Sequence, residues 1–160
     1  MADETSPVVP QLPDPPLGTF TSRCDDKGRV RLPKQLEEYL RALPDREFFI
    51  TTLDGSIGKI YPRSVWENNR KKFAANPRLA LDIGRYADHH GSLSEIDNQS
   101  RVLLSPPLRR KLGVENQPLY LRYDSQGVEI YSEATQEASL QRAEEKAPTV
   151  LPDLYELGVV

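Results

Sequence analysis

The chain has little from which to build a metal or disulfide scaffold: one cysteine, Cys24, and two histidines, His89 and His90, among 160 residues. One cysteine closes no intramolecular disulfide, and one Cys with an adjacent His pair falls short of a zinc ligand set. Long apolar runs are missing too. None approaches the length of a membrane span, and Met1-Ala2-Asp3-Glu4 lacks the basic flank and apolar stretch of a secretory leader. A soluble cytoplasmic protein without membrane association is expected. There is no Gly-rich phosphate loop, nucleophile elbow or His-Glu-x-x-His spacing, so Asp25-Asp26, Asp97 and the histidine pair do not compose a recognisable catalytic centre. No enzymatic activity, cofactor, metal or small-molecule substrate is expected. With 38% hydrophobic residues, the length suits one domain or two very small ones.

The formal net charge is −3, but its distribution is uneven. Residues 1–17 hold Asp3, Glu4 and Asp14 and no base, while residues 133–160 hold six acids against Arg142 and Lys146. The middle, residues 18–132, carries 19 bases against 15 acids, a surplus of +4 that permits phosphate contact without requiring it. Five of the 14 prolines (Pro7, Pro10, Pro13, Pro15, Pro16) fall in the N-terminal arm, which has no hydrophobic periodicity and is expected to be disordered over 1–17. At the other end, Glu133 to Lys146 reads as a polar helix. Pro148 and Pro152 should then break the chain, leaving Val150, Leu151, Leu154, Tyr155, Leu157 and Val160 as a frayed tail or a docking stripe.

An internal repeat lies between these ends. Asp25-Asp26-Lys27-Gly28-Arg29-Val30-Arg31-Leu32-Pro33 aligns without a gap on Asp97-Asn98-Gln99-Ser100-Arg101-Val102-Leu103-Leu104-Ser105, 72 residues later. Leu40 meets Leu112 and Phe48 meets Tyr120 at that offset, whereas Ile60-Tyr61 meets Ile130-Tyr131 at 70, placing two extra residues in a loop of the first copy. Each copy reads as strand, polar turn, strand, helix and hairpin. Thr19–Cys24 and Gly91–Ile96 are short strands entering the turns. Pro33 and Pro106 open helices carrying Leu36, Leu40 and Leu43, or Leu108 and Leu112, on one face. Hairpins follow around Asp54-Gly55 and Ser125-Gln126-Gly127.

Between the copies, Ser64 and Glu67 have capping-box spacing and start a helix with Trp66, Asn69 and Phe73 on one side; Asn76-Pro77 ends or kinks it. Leu79, Leu81, Ile83 and Tyr86 then lead toward the second copy as another short helix. The organisation is an arm (1–17), a first repeat (18–63), a helical linker (64–88), a second repeat (89–132) and a polar C-terminal helix with an acidic tail (133–160). Neither repeat closes a core alone. An α+β fold is expected in which the two pack as a pseudo-twofold pair around a small barrel with peripheral helices.

The paired turns are the candidate site. An Arg directly after a tight turn can fork onto phosphate oxygens or a guanine edge, and an Asp at the turn's start can accept from turn N–H groups or hold that Arg. Asp25 and Asp97 would orient, Arg29 and Arg101 would contact, and Lys27, Arg31 and Lys34 would add phosphate contacts; alternatively both Asp-Arg pairs only brace their turns. His89, His90, Cys24 and the strand aromatics (Phe48, Phe49, Tyr120, Tyr123, Tyr131) read as packing residues, and Arg70-Lys71-Lys72 as a solvated face able to support DNA or a subunit contact.

The two Asp-x-x-x-Arg signatures at this separation, with Tyr61-Pro62 followed by Trp66-Glu67, resemble the MraZ family of transcription regulators built from two SpoVT-AbrB repeats. The resemblance covers roughly residues 17–140. It implies an AbrB-like swapped-hairpin barrel of double-psi type, ring-shaped homo-oligomers, nucleoid association, and binding to short double-stranded DNA repeats upstream of the division and cell-wall gene cluster, usually repressing its own operon. Ser100 stands where the family favours Gly, Ser105 where Pro is usual, and Glu37 where the first helix often has Arg. DNA contact is therefore expected to fall mainly on Arg29 and Lys27, with Arg101 contributing less. The competing class is an oligomeric AbrB-like scaffold or antitoxin-like protein that engages a protein partner through its tail.

Overall fold

The computed structural model describes residues 13–160. The arm expected over 1–17 therefore lies outside the described residues up to residue 12. The elements run β1 (Thr19–Arg23), β2 (Arg29–Arg31), α1 (Lys34–Ala42), β3 (Phe48–Thr52), β4 (Gly58–Pro62), α2 (Arg63–Ala75), α3 (Pro77–His90), β5 (Ser92–Ser94), β6 (Arg101–Leu103), α4 (Pro106–Leu112), β7 (Pro118–Asp124), β8 (Gly127–Ser132) and α5 (Glu133–Glu156). The class is α+β. Six strands form a sheet in the order β1-β7-β8-β4-β3-β5, and β2 and β6 form a separate two-stranded ribbon.

The pairing crosses between the repeats. β1 of the first copy lies against β7 of the second, and β5 of the second lies against β3 of the first. The ribbon centres on Val30 opposite Val102, and the β4–β8 ladder on Lys59 opposite Glu129, so each ladder maps onto itself when the copies are exchanged. A single core follows from this exchange: Val30, Leu36, Phe48 and Ile60 of the first copy are buried with Val102, Leu108, Leu119 and Ile130 of the second. Fully burying an aliphatic or aromatic side chain contributes about 1.5–3 kcal/mol, and neither copy alone could keep these residues from water.

The register corrects one expected equivalence. β1 against β7 and β5 against β3 match when Phe48 is equated with Leu119 and Phe49 with Tyr120, an offset of 71 rather than 72. Burial agrees, since Phe48 and Leu119 are both in the core while Phe49 and Tyr120 are half-buried. The extra residues of the first copy are thus split, one before the hairpin and one within it. The first helix ends in an extended Leu43, whereas α4 ends on Gly113 in the left-handed region, a tighter exit. The second hairpin turns on Ser125 and Gln126, both at positive φ, the conformation that matches strand twist.

Three helix expectations also need correction. Ser64 and Glu67 form no capping box: α2 begins at Arg63, Ser64 Oγ donates to Asp45 Oδ2 at 2.7 Å, and Glu67 pairs with Arg63 at 3.0 Å. Competing charged partners satisfy both side chains. The segment after Pro77 is a 14-residue helix, not a short one, and it buries Ala80, Ala87 and His90 while Leu79, Leu81 and Ile83 face outward. Finally, α5 runs through Pro148 and Pro152 to Glu156. The prolines stand four apart on one exposed face, so water can serve the carbonyls they leave unpaired, and the end expected to fray is helical.

Pro62 and Ser132 precede α2 and α5 at the offset of 70, making these helices counterparts. Their surroundings differ. Trp66 of α2 stacks on Phe49 with centroids 4.9 Å apart and meets Tyr61 and Phe73, beside Ala87 of α3. Thr51 Oγ1 donates to the Ala87 carbonyl at 2.5 Å, tying α3 to the sheet. No helix covers α5 in this way among the described residues, and α5 buries none of its own.

Candidate nucleic-acid interface

Both Asp-x-x-x-Arg segments fold into the same bonded turn. In the first, Asp25 Oδ1 accepts from the Lys27 and Arg29 backbone N–H groups at 3.0 and 2.8 Å, and Oδ2 accepts from Arg29 Nε at 2.6 Å. In the second, Asp97 Oδ1 accepts from Gln99 and Arg101 N–H, each at 2.9 Å, and Oδ2 accepts from Arg101 Nε at 2.9 Å. The carboxylate therefore braces the turn and orients the arginine at once. Among the described residues, the terminal nitrogens of Arg29 and Arg101 make no hydrogen bond, which leaves each two-pronged end available.

Burial raises the Asp25 and Asp97 carboxyl pKa values, but the turn N–H groups and the arginines outweigh it and hold both below the ordinary aspartate range. A lowered folded-state value means stabilisation that is complete above the unfolded-state pKa. That contribution is lost as pH falls through the folded-state values, so both turns should loosen together below about pH 4. Amide chemical shifts of Lys27, Arg29, Gln99 and Arg101 followed from neutral to acid pH check this. Shifts that stay constant while the carboxyl groups titrate would refute it.

Each turn leads into one strand of the β2–β6 ribbon. Val30 and Val102 point into the core, so period-two alternation places Arg29, Arg31, Arg101 and Leu103 on the opposite face. Arg31 lies directly across from Arg101, and Arg29 across from Leu103. Of the residues singled out from sequence, Arg29, Arg31 and Arg101 are thus brought together on one surface, with Lys27 exposed at the tip of the first turn. Lys34 stands apart on α1, 3.9 Å from Glu38. Cys24, at the end of β1, is buried with its thiol pushed up to about 11 by desolvation, a packing group rather than a reactive one.

The turns are braced from the opposite copy. Arg109 of α4 has its Nε held by Glu115 at 2.9 Å and donates from Nη1 to the carbonyls of Lys27 at 3.0 Å and Leu104 at 3.2 Å. On the other side, Arg41 of α1 pairs with Glu37 at 3.1 Å and donates to the Asp97 carbonyl at 3.0 Å. Glu37 and Arg109 are equivalent at the offset of 72: Arg109 braces the first turn directly, whereas Glu37 holds Arg41, which braces the second. Ser100, in place of Gly28, adopts φ 64° against 86° and keeps the turn intact. Ser105 caps α4 by accepting from Leu108 N–H at 3.3 Å and donates to the His90 carbonyl at 2.6 Å.

No family model matches the chain. A transcriptional regulator MraZ from Leptothrix cholodnii is 32% identical over 138 residues, spanning 85% of this chain and 93% of that protein. The chain belongs to the MraZ family. The MraZ of Acidobacterium capsulatum is 29% identical over 148 residues, 89% of this chain and 98% of its own length, and that of Bordetella pertussis is 28% identical over 138 residues, 86% and 94%. In this MraZ-family chain, sequence reading found the Asp-Arg turns and missed the braces, although the offset that pairs Arg29 with Arg101 also pairs Glu37 with Arg109. Among the described residues, no helix is long and apolar enough to cross a membrane, and no cluster of three or more His, Cys, Asp or Glu could hold a metal ion.

Proposed function

We propose that this chain is a DNA-binding transcriptional regulator that reads DNA with the β2–β6 ribbon and its two Asp-Arg turns. The observation that carries this reading is the convergence of Arg29, Arg31 and Arg101 on one outward ribbon face, two of them held by Nε with their ends free. A two-stranded ribbon fits the major groove, where an arginine can take both acceptors of a guanine edge, and Lys27 and Lys34 supply phosphate contacts. The fold that presents this surface is, in this reading, a swapped-hairpin barrel of the AbrB kind, consistent with the exchange of β1 and β5 between copies.

The reading extends to assembly and target. A few cationic side chains on one chain bind DNA weakly and with steep salt dependence. A ring of identical chains presenting the same ribbon to successive short repeats makes later contacts intramolecular, so affinity grows with repeat number. The target in this proposal is the promoter of the chain's own operon in the division and cell-wall cluster, where binding represses. Fluorescence anisotropy against DNA from upstream of the gene, against a shuffled control and across a salt series, tests it. Preference for the native site, loss of binding with salt and a gain from one repeat to three are expected. A single-repeat probe that binds as tightly as a triple one refutes the avidity mechanism, and no DNA binding at low salt refutes the regulator reading.

A further inference from the structure

We infer that Leu103 is a specificity-determining residue of the ribbon, set to meet the C5-methyl group of a thymine beside the base pair that Arg29 reads. This rests on the regulator reading above and adds a base preference to it. The offset of 72 equates Arg29 with Arg101 and Arg31 with Leu103. Three of these outward positions are arginine, so Leu103 is the corner at which exchanging the copies changes the chemistry of the face.

Packing does not account for a leucine here. Leu103 is 48% exposed and lies outside the core, to which β6 contributes Val102 instead. Its backbone N–H donates to Ser94 Oγ at 3.0 Å, a bond that any residue except proline could make. Two fixed forks frame the side chain. Arg29 stands directly across the ribbon and Arg101 two residues back on the same strand, each held through Nε by the aspartate of its turn. Opposed side chains of an antiparallel pair have Cβ atoms about 5 Å apart, and bases stack about every 3.4 Å, so Arg29 and Leu103 reach neighbouring base pairs.

Thymine presents a methyl group in the major groove, where cytosine presents an N4 amino donor. Against the methyl, the isobutyl group of leucine removes apolar surface from water on both partners. Against cytosine it gains no such contact and covers a donor from which it cannot accept, leaving that donor desolvated and unpaired. The same position therefore favours thymine and penalises cytosine. An arginine there would select guanine.

Fluorescence anisotropy with the full chain and the native promoter fragment tests this, each thymine being replaced in turn by deoxyuridine, which lacks only the methyl. At one position, next to the pair where Arg29→Ala relaxes base preference, the replacement should weaken binding about fourfold per repeat, as expected for one buried methyl. Leu103→Ala should weaken binding to the native fragment by about three- to tenfold per repeat, with an unchanged salt slope, and should no longer distinguish thymine from deoxyuridine there. Leu103→Arg should turn the preference at that position to guanine. Denaturant midpoints of both variants should stay near the parent's, because the altered side chain is exposed. A parent chain that binds the native fragment but is indifferent to deoxyuridine at every position overturns the thymine contact and leaves the regulator reading standing. So does a Leu103→Ala chain as sensitive to deoxyuridine as its parent. A parent chain that binds no DNA overturns both.

Discussion

Arg29→Ala is expected to weaken binding to the native promoter by about 10- to 100-fold for each engaged ribbon, the range for losing one forked arginine contact. Stability should barely change. Asp25 keeps its two backbone hydrogen bonds when the guanidinium is gone, and the lost ion pair is 35% exposed on both sides, where such pairs contribute little. Arg29→Lys separates the two ways the residue could act. It should retain most affinity if Arg29 only meets phosphate, and lose nearly as much as the alanine variant if the fork reads a base edge. The salt slope reports the same distinction, falling by about one for each phosphate contact removed. Native affinity and native slope in Arg29→Ala would take the ribbon out of DNA contact.

The second large effect is on the turn itself. Gly28→Ala is expected to destabilise the fold by about 2–4 kcal/mol. Gly28 sits at φ 86°, and an added Cβ would lie 2.6 Å from the Leu104 carbonyl oxygen as well as against Arg109 Nη1. The side chain of Arg109 can swing aside only by abandoning the Lys27 and Leu104 carbonyls, and the Leu104 backbone is tied to the Gly28 carbonyl by a 2.8 Å hydrogen bond. Ser100→Gly supplies the mirror experiment. Ser100 holds φ 64° with a side chain, and relief of that conformation should stabilise by about 0.5–1 kcal/mol despite the looser unfolded chain. Denaturant midpoints for the two variants check both signs. A Gly28→Ala chain as stable as its parent would mean that the two copies do not meet as closely at the first turn as the geometry requires.

Much of this molecule was legible in the sequence because its repeat is local. Asp at the first turn position and Arg at the fifth bond within one segment, so spacing alone specified both turns. The pairing of β2 with β6, which sets the buried side at Val30 and Val102 and the arginines on the other, came only from the structure. Leucines at helical spacing marked α1 and α4. Features that depend on what lies across a contact were hidden. A capping box at Ser64 is plausible until Asp45 and Arg63 are seen to claim its members. Prolines at 148 and 152 look like helix breaks until their carbonyl partners prove to face water on an exposed side. Equating Phe48 with Tyr120 follows from a gapless alignment, and only strand register moves it by one.

The sequence by itself determined the α+β class, the two-copy architecture and the chemistry of the turns, since these arise from residues close along the chain. Tertiary structure decided which copy completes which. β1 finds its partner in β7, β5 finds its partner in β3, and Arg109 and Arg41 each brace the other copy's turn. A repeat is compatible with pairing inside each copy or across the two. The choice between them is made by burial, because only the exchanged arrangement gives two half-cores of this size a single interior to share.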